Sequence, residues 1–276
     1  MRGQCMAGGA AMARTGSEDT LAQGSFVRAL RAEALKSRHG APVRLAIVLA
    51  LPFPLLAAFV ALSVPQFGLS YSPWNYWYAL LMPVSITLIA ATVANADARL
   101  GNHTLLSSGV PLHLAWGAKV AWCLALLLLS NLVVFAVYAV MSLVVPHGAA
   151  SMSAMLAVAL ALTVMGSWMI PATHFLTMRV GMLAGVFVPL AVQLALSLGW
   201  SVVPFWPACP PAATIVLPTA FLPVLPSGEP ASPGMALVES ISQGPDVALA
   251  LIVAAVLTAA LTAAGAMWLD RSEELR

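Results

Sequence analysis

The sequence predicts an all-α integral membrane protein with six transmembrane helices and both termini on the cytoplasmic side. Three observations predict it. Hydrophobic residues make up 61% of the 276-residue chain and charged residues 8%, against about a quarter charged in soluble domains. A water-facing surface needs charge to cover it, and a lipid-facing surface does not. Six segments are apolar over about 20 residues, the length that crosses a hydrocarbon core of about 30 Å. All twelve Lys and Arg fall on one side of the arrangement those segments define.

The spans in order are 43–64, 75–96, 120–145, 152–170, 180–203 and 247–269. Backbone groups in lipid must bond within their own segment, which selects helices. The long uninterrupted runs exclude a β-barrel, whose strands alternate over about ten residues. Residues 1–24 read as a disordered tail without the apolar run of a signal peptide, and Met6 and Met12 are alternative starts. Residues 25–270 form the membrane domain and 271–276 a cytoplasmic tail.

With the N-terminus inside, the inner segments 1–42, 97–119, 171–179 and 270–276 carry eleven of the twelve cations, and Arg44 snorkels at the membrane edge. The outer segments 65–74, 146–151 and 204–246 carry none, only Glu229, Glu239 and Asp246. This asymmetry orients the spans with both termini inside, and the chain is expected as a multi-pass protein of the cytoplasmic (inner) membrane. The net charge of +2 and the lack of a basic run give no reason to expect nucleic acid as a partner. The cysteines, Cys5, Cys123 and Cys209, lie inside, within the membrane and outside, so no disulfide framework follows.

On the outer side, Trp74, Tyr76, Trp77 and Tyr78 form an aromatic cluster that reads as an interfacial belt or as a substrate contact. Segment 204–246 holds ten prolines, yet 212–225 is apolar. It is expected to dip into the outer leaflet, re-entrant before the last span, or to pack on the bundle, because free in solvent it would expose apolar surface. Pro52, Pro54, Pro83 and Pro189 lie within spans, where each can kink its helix or serve as a hinge. Asn131 and Gln193 are mid-span amides that either glue helices together or meet a ligand. Trp74, Trp77, Pro83, Asn131 and Gln193 are the candidates for a substrate path.

Signals of bond chemistry are poor. There is no G-x-x-x-x-G-K-[ST] to cradle a nucleotide and no H-E-x-x-H. His39, His103, His113, His147 and His174 show no metal-ligand spacing. No span holds Asp or Glu, which argues against an intramembrane carboxylate pair and against a buried proton relay. The sequence therefore predicts no catalytic, cofactor-binding or metal residues in this chain.

Two inner segments stand out. Segment 26–39, preceded by Ser25 as a candidate N-cap, places Phe26, Val27, Leu30 and Ala34 on one face and Arg28, Arg31 and Arg38 opposite, with Leu35 on the wrong face. It reads as an interfacial helix on the inner leaflet, although any basic flank would share part of that pattern. Segment 97–119, charged at both ends and half-apolar between, is longer than a plain connection needs and suits docking of a soluble partner.

On these residues the chain resembles the permeases of the type-2 ABC exporter family. Leu30-Arg-Ala-Glu-Ala-Leu-Lys36 matches the interfacial helix that precedes the first span there. Asp97, Gly101, Pro111 and Lys119 match an acidic residue, a glycine, a proline and a lysine between the second and third spans, although Glu is commoner at the first position. Segment 204–246 matches the long outer segment before the last span. Trp74-Asn-Tyr-Trp-Tyr-Ala-Leu-Leu-Met-Pro83 and the stretch from Asp97 to Lys119 are most similar to permeases of lantibiotic-immunity exporters.

The resemblance implies a six-helix permease paired with a second permease chain, the same or a sister, and with ABC ATPase subunits on the cytoplasmic face. The partner ATPase would hold ATP and Mg2+. Arg28, Arg31, Glu33, Lys36, Asp97, Arg99, Gly101 and Lys119 would couple its movement to the spans. The cargo would be an amphipathic peptide or drug, a lantibiotic-type peptide first, giving self-immunity or antibiotic resistance. Two other readings stand beside it: a non-transporting scaffold or sensor subunit, and an intramembrane enzyme.

Overall fold

The computed structural model describes residues 26–38, 40–98, 111–145, 150–232, 234–241 and 244–274. The expected tail 1–24 lies outside them. The described chain is helical, with one isolated β-bridge between Val224 and Pro230. Helix α1 covers 26–37. The long helices are α2 (Ala41–Ser63), α3 (Ser72–Ala96), α4 (Leu112–Val144) and α5 (Met152–Arg179). Then come α6 (Met182–Leu198), α7 (Pro210–Val216), α8 (Ala236–Ile241) and α9 (Gly244–Glu274).

Five of these helices are long and apolar enough to cross a membrane, and α6, with 17 residues, sits at the lower limit of spanning length. Their exposure points to lipid. The most apolar stretch of α9 has mean hydropathy 2.5, yet only 11% of it is buried within the chain; in α5 the share is 67%. Ile252, Val256 and Met267 point outward from α9. In water such a helix would be a large exposed apolar face, whereas in a bilayer lipid covers it. The chain is a multi-pass membrane protein. At its centre α3 packs against α2, α4, α5 and α6.

Several boundaries differ from the sequence expectation, each for a local reason. The first span is two segments, Ala41–Val48 and Pro52–Ser63. Pro52 has no N–H for the Val48 carbonyl, and the helix breaks there. The fourth span does not stop at Ile170. After an irregular turn at Ser167–Trp168, helix resumes as Met169–Arg179. Pro171 falls in the first turn of that second segment, where a missing N–H costs nothing. Residues 171–179 are therefore helix rather than loop. The helix of the third expected span starts at Leu112, ahead of position 120. The fifth ends at Leu198, and a 3-10 turn, Trp200–Val202, follows.

Within segment 204–246, residues 210–224 pack on the bundle. Every residue of α7 is buried, and Ala213 and Leu217 meet Ala161 and Met165 of α5 and Ala250 and Ala254 of α9. Ala161 is nine residues past Met152 at the start of α5, about 14 Å along the axis. The α7 helix is thus driven well into the bundle.

Contacts sort the chain ends. The start of α4 lies beside the end of α9, with His113 Nδ1 3.9 Å from Asp270 Oδ2. The end of α5 meets it too: Phe175 packs edge-on to Trp268 at 5.2 Å, and the Arg179 guanidinium lies 5.9 Å over the same ring. Helix α1 meets α4 at this end through Glu33 and Lys119, and the end carries Arg28, Arg31, Lys36, Arg38, Lys119, Arg179 and Arg271. The bundle has a basic end and an end where α3, α4 and segment 221–232 meet.

Candidate functional site

At the basic end, α1 docks on the first turns of α4. Its buried stripe is Ala29, Glu33 and Ser37, at helical spacing. Val27, expected on the inward face, is 61% exposed, and Leu35 is 60% exposed. The inward side instead centres on a carboxylate. Lys119 Nζ donates to Glu33 Oε1 at 3.0 Å, and Lys36 Nζ donates to the same oxygen at 3.0 Å. Lys119 is 4% exposed and Glu33 7%. Both were expected as loop or interface charges. The structure makes them a buried ion pair, where removing one partner typically costs about 3–5 kcal/mol.

Further in, Cys123 Sγ lies 3.6 Å from His174 Nε2. The His174 ring meets Trp116 edge-on at 5.7 Å, and the Trp116 indole closes on Gly265 of α9, where a Cβ would come 2.7 Å from Cε2. His174 was expected in an inner loop. The continuation of α5 buries it instead. Two pairs, Glu33–Lys119 between α1 and α4 and Cys123–His174 between α4 and α5, thus place ionisable groups between helices, although no predicted span contained a carboxylate.

The coupling candidates divide accordingly. Glu33 and Lys119 face one another, and Lys36 joins them from the rim. Arg28 and Arg31 lie on the exposed half of α1, interleaved with Val27 and Leu35. Helical backbone continues through Asp97 to Ala98, but the Asp97 side chain lies outside the described residues, as do Arg99 and Gly101. The exposed half of α1 can meet anionic groups on a partner or a membrane surface, while its buried half is fixed to α4.

At the opposite end the aromatic cluster is interior. Trp74, Trp77 and Tyr78 are fully buried, which overturns the reading as an interfacial belt; Tyr76 alone of the four is exposed. The Trp74 ring lies 4.6 Å from Tyr138, and Tyr138 stacks on Tyr71 at 5.5 Å. Trp77 Nε1 donates to Asn131 Oδ1 at 3.0 Å, and Asn131 Nδ2 donates to Thr163 Oγ1 at 3.1 Å. The chain ties α3, α4 and α5 together, so Asn131 is helix glue here. Asn75 Nδ2 donates to Tyr78 Oη at 2.8 Å and to the Leu225 and Pro226 carbonyls at 3.3 and 3.4 Å.

Pro83 is buried in α3 after a π-helical turn, Trp77–Leu81, in which the Met82 N–H reaches back to the Trp77 carbonyl. Such turns are rare single-turn bulges in an α-helix, frequent at functional sites, and like proline they can kink the helix. Gln193 Nε2 donates to Ser197 Oγ at 2.8 Å, and Ser197 Oγ donates to the Pro211 carbonyl at 2.8 Å, pinning α6 to α7. The structure brings Trp77 and Asn131 together, whereas Gln193 bonds to Ser197 and the Pro211 carbonyl. A cavity of about 270 Å³ opens nearby, lined by Leu69, Ser70, Tyr71, Ser72, Pro223, Pro230 and Ala231. The sequence reading missed Tyr71, Tyr138 and Thr163; Thr163, as a hydroxyl in an apolar span, was the one with a visible signal. No family model, curated protein or solved structure matches the chain.

Proposed function

We propose that the chain is the permease subunit of an ATP-driven exporter of the type-2 ABC kind, with six spans and both termini in the cytoplasm. It works in the cytoplasmic membrane beside a second permease chain, and ABC ATPase subunits carrying ATP and Mg2+ dock on the basic end. The observation that carries this reading is α1. Its buried Glu33–Lys119 contact fixes it across the inner end of α4, the longest helix, and leaves Arg28, Arg31 and Lys36 turned outward. A basic platform joined to the bundle core through an ion pair gives a soluble motor a surface to push on.

The sixth span in this reading is α6, whose length is at the lower limit for crossing. Re-entry of α7 from the outer side supplies protein contacts where α6 is short. The cargo is an amphipathic peptide, lantibiotic-type peptides first. The outer cavity and the acidic Glu229, Glu239 and Asp246 suit a cationic amphipath.

The test is purification of the tagged protein from its own host and reconstitution in vesicles. The expected result is a co-purifying ATPase, ATP-dependent export of a membrane-active peptide, and growth protection against that peptide. A preparation with no ATPase subunit and no nucleotide-dependent movement would leave the scaffold or sensor reading in its place.

A further inference from the structure

A permanent staple between two helices does not need charge. A buried ion pair replaced by well-packed apolar groups is often as stable or more so. Yet α1 and α4 are joined by a carboxylate and an ammonium, both nearly excluded from solvent. The carboxylate is also shared. Lys36, one turn further along α1 and half-exposed, holds the same Oε1 atom at 3.0 Å. If α1 lifts from α4, Glu33 travels with Lys36 and reaches water already paired.

Lys119 is placed to report that movement. It lies one turn beyond Trp116, whose ring touches His174 of α5 and seats against Gly265 of α9. A shift of α4 at Lys119 therefore reaches two other long helices through packed side chains rather than through a flexible loop.

We propose that Glu33–Lys119 is a reversible latch, closed in this structure and opened when a partner engages the outward half of α1. The inference rests on the exporter reading and goes beyond it by naming the contact that changes. Glu33 and Lys119 are then positioning residues: they touch no cargo and set when α4 moves.

The test uses the assembled complex in nanodiscs with Glu33→Gln, Lys119→Met, the double variant, and the exchange Glu33→Lys with Lys36→Glu and Lys119→Glu. The single variants should lower the melting temperature. The double variant should recover it, because no charge is stranded, yet lose ATP-driven export about fivefold or more, the scale of a coupling free energy. The exchange should restore export.

Spin labels at Ala32→Cys and His113→Cys should show a distance that changes with nucleotide in the wild-type background. A double variant that exports like wild type, or a label distance indifferent to nucleotide, overturns the latch while leaving the exporter reading intact. A wild-type complex without ATP-dependent export overturns both.

Discussion

Trp77 donates its indole N–H to Asn131 Oδ1 across the α3–α4 interface at 3.0 Å, and both side chains are sealed from solvent. Asn131 passes the bond on to Thr163. Asn131→Leu leaves the indole N–H without its acceptor in an apolar interior. It should cost about 1–3 kcal/mol, read as a lower midpoint of unfolding in detergent. Thr163→Val removes the far end alone and should cost about 0.6 kcal/mol, the mean for such bonds between membrane helices. Equal losses for the two would mean that the network is not a chain.

Gly185 lies where α6 turns back against α5. A Cβ there would clash with Thr177 Oγ1 and also come 2.9 Å from the Thr177 backbone nitrogen and 3.0 Å from the Thr173 carbonyl. Gly185→Ala should destabilise by about 1–3 kcal/mol. Adding Thr177→Ala should not restore it, because the backbone atoms remain. Full rescue in thermal unfolding would place the clash on the hydroxyl alone.

Asn75 is the clamp on the outer segment. With Asn75→Ala, the Leu225 and Pro226 carbonyls lose the side-chain amide that ties them to α3, and Leu225 keeps only the Gly228 N–H. Hydrogen exchange at the Leu225 and Gly228 amides, bonded to Glu229 and Leu225, should accelerate roughly tenfold, as about 1.4 kcal/mol of local stability would give. The amides of α4 should keep their rates.

Cys123 is buried and Cys209 partly exposed. In a Cys5→Ser background, a membrane-impermeant maleimide added to intact spheroplasts should label Cys209 and leave Cys123 unmodified. Labelling of Cys209 only after lysis would invert the proposed orientation.

The helices were legible because lipid-facing runs need no tertiary information: 43–64 and 247–269 are apolar whatever they touch. Lys119 was not. A lysine before a span is an orientation signal in sequence, and its burial depends on Glu33, 86 residues away. The expected end of the fourth span at 170 fell short of the helix for a related reason. A proline after an apolar run marks a helix end, unless the helix restarts just before it, as at Met169. The aromatic run 74–78 looked like a headgroup belt because composition does not reveal which side of a helix faces protein. Tyr138, which packs on Trp74, comes from α4, and Tyr71, three residues before Trp74, joins it there. Asn131 and Gln193 stood out as mid-span amides, and their partners Thr163, Ser197 and the Pro211 carbonyl required the fold.

The π turn at Trp77–Leu81 amounts to one residue more than a regular helix would hold between its neighbours. Each residue of an α-helix turns the chain by about 100°, so α3 above and below that turn is phased differently. Its inner part presents Met82, Ile86 and Ala90 to the bundle, and its outer part presents Trp74 and Asn75. Deleting one residue between 77 and 81 would make the helix regular and rotate Trp74 and Asn75 by about 100° relative to the rest. Trp74 would then face away from Tyr138, and Asn75 away from the outer segment. A single-codon deletion, conservative in composition and hydropathy, would thus disengage the outer segment while leaving the basic end of the bundle unaltered.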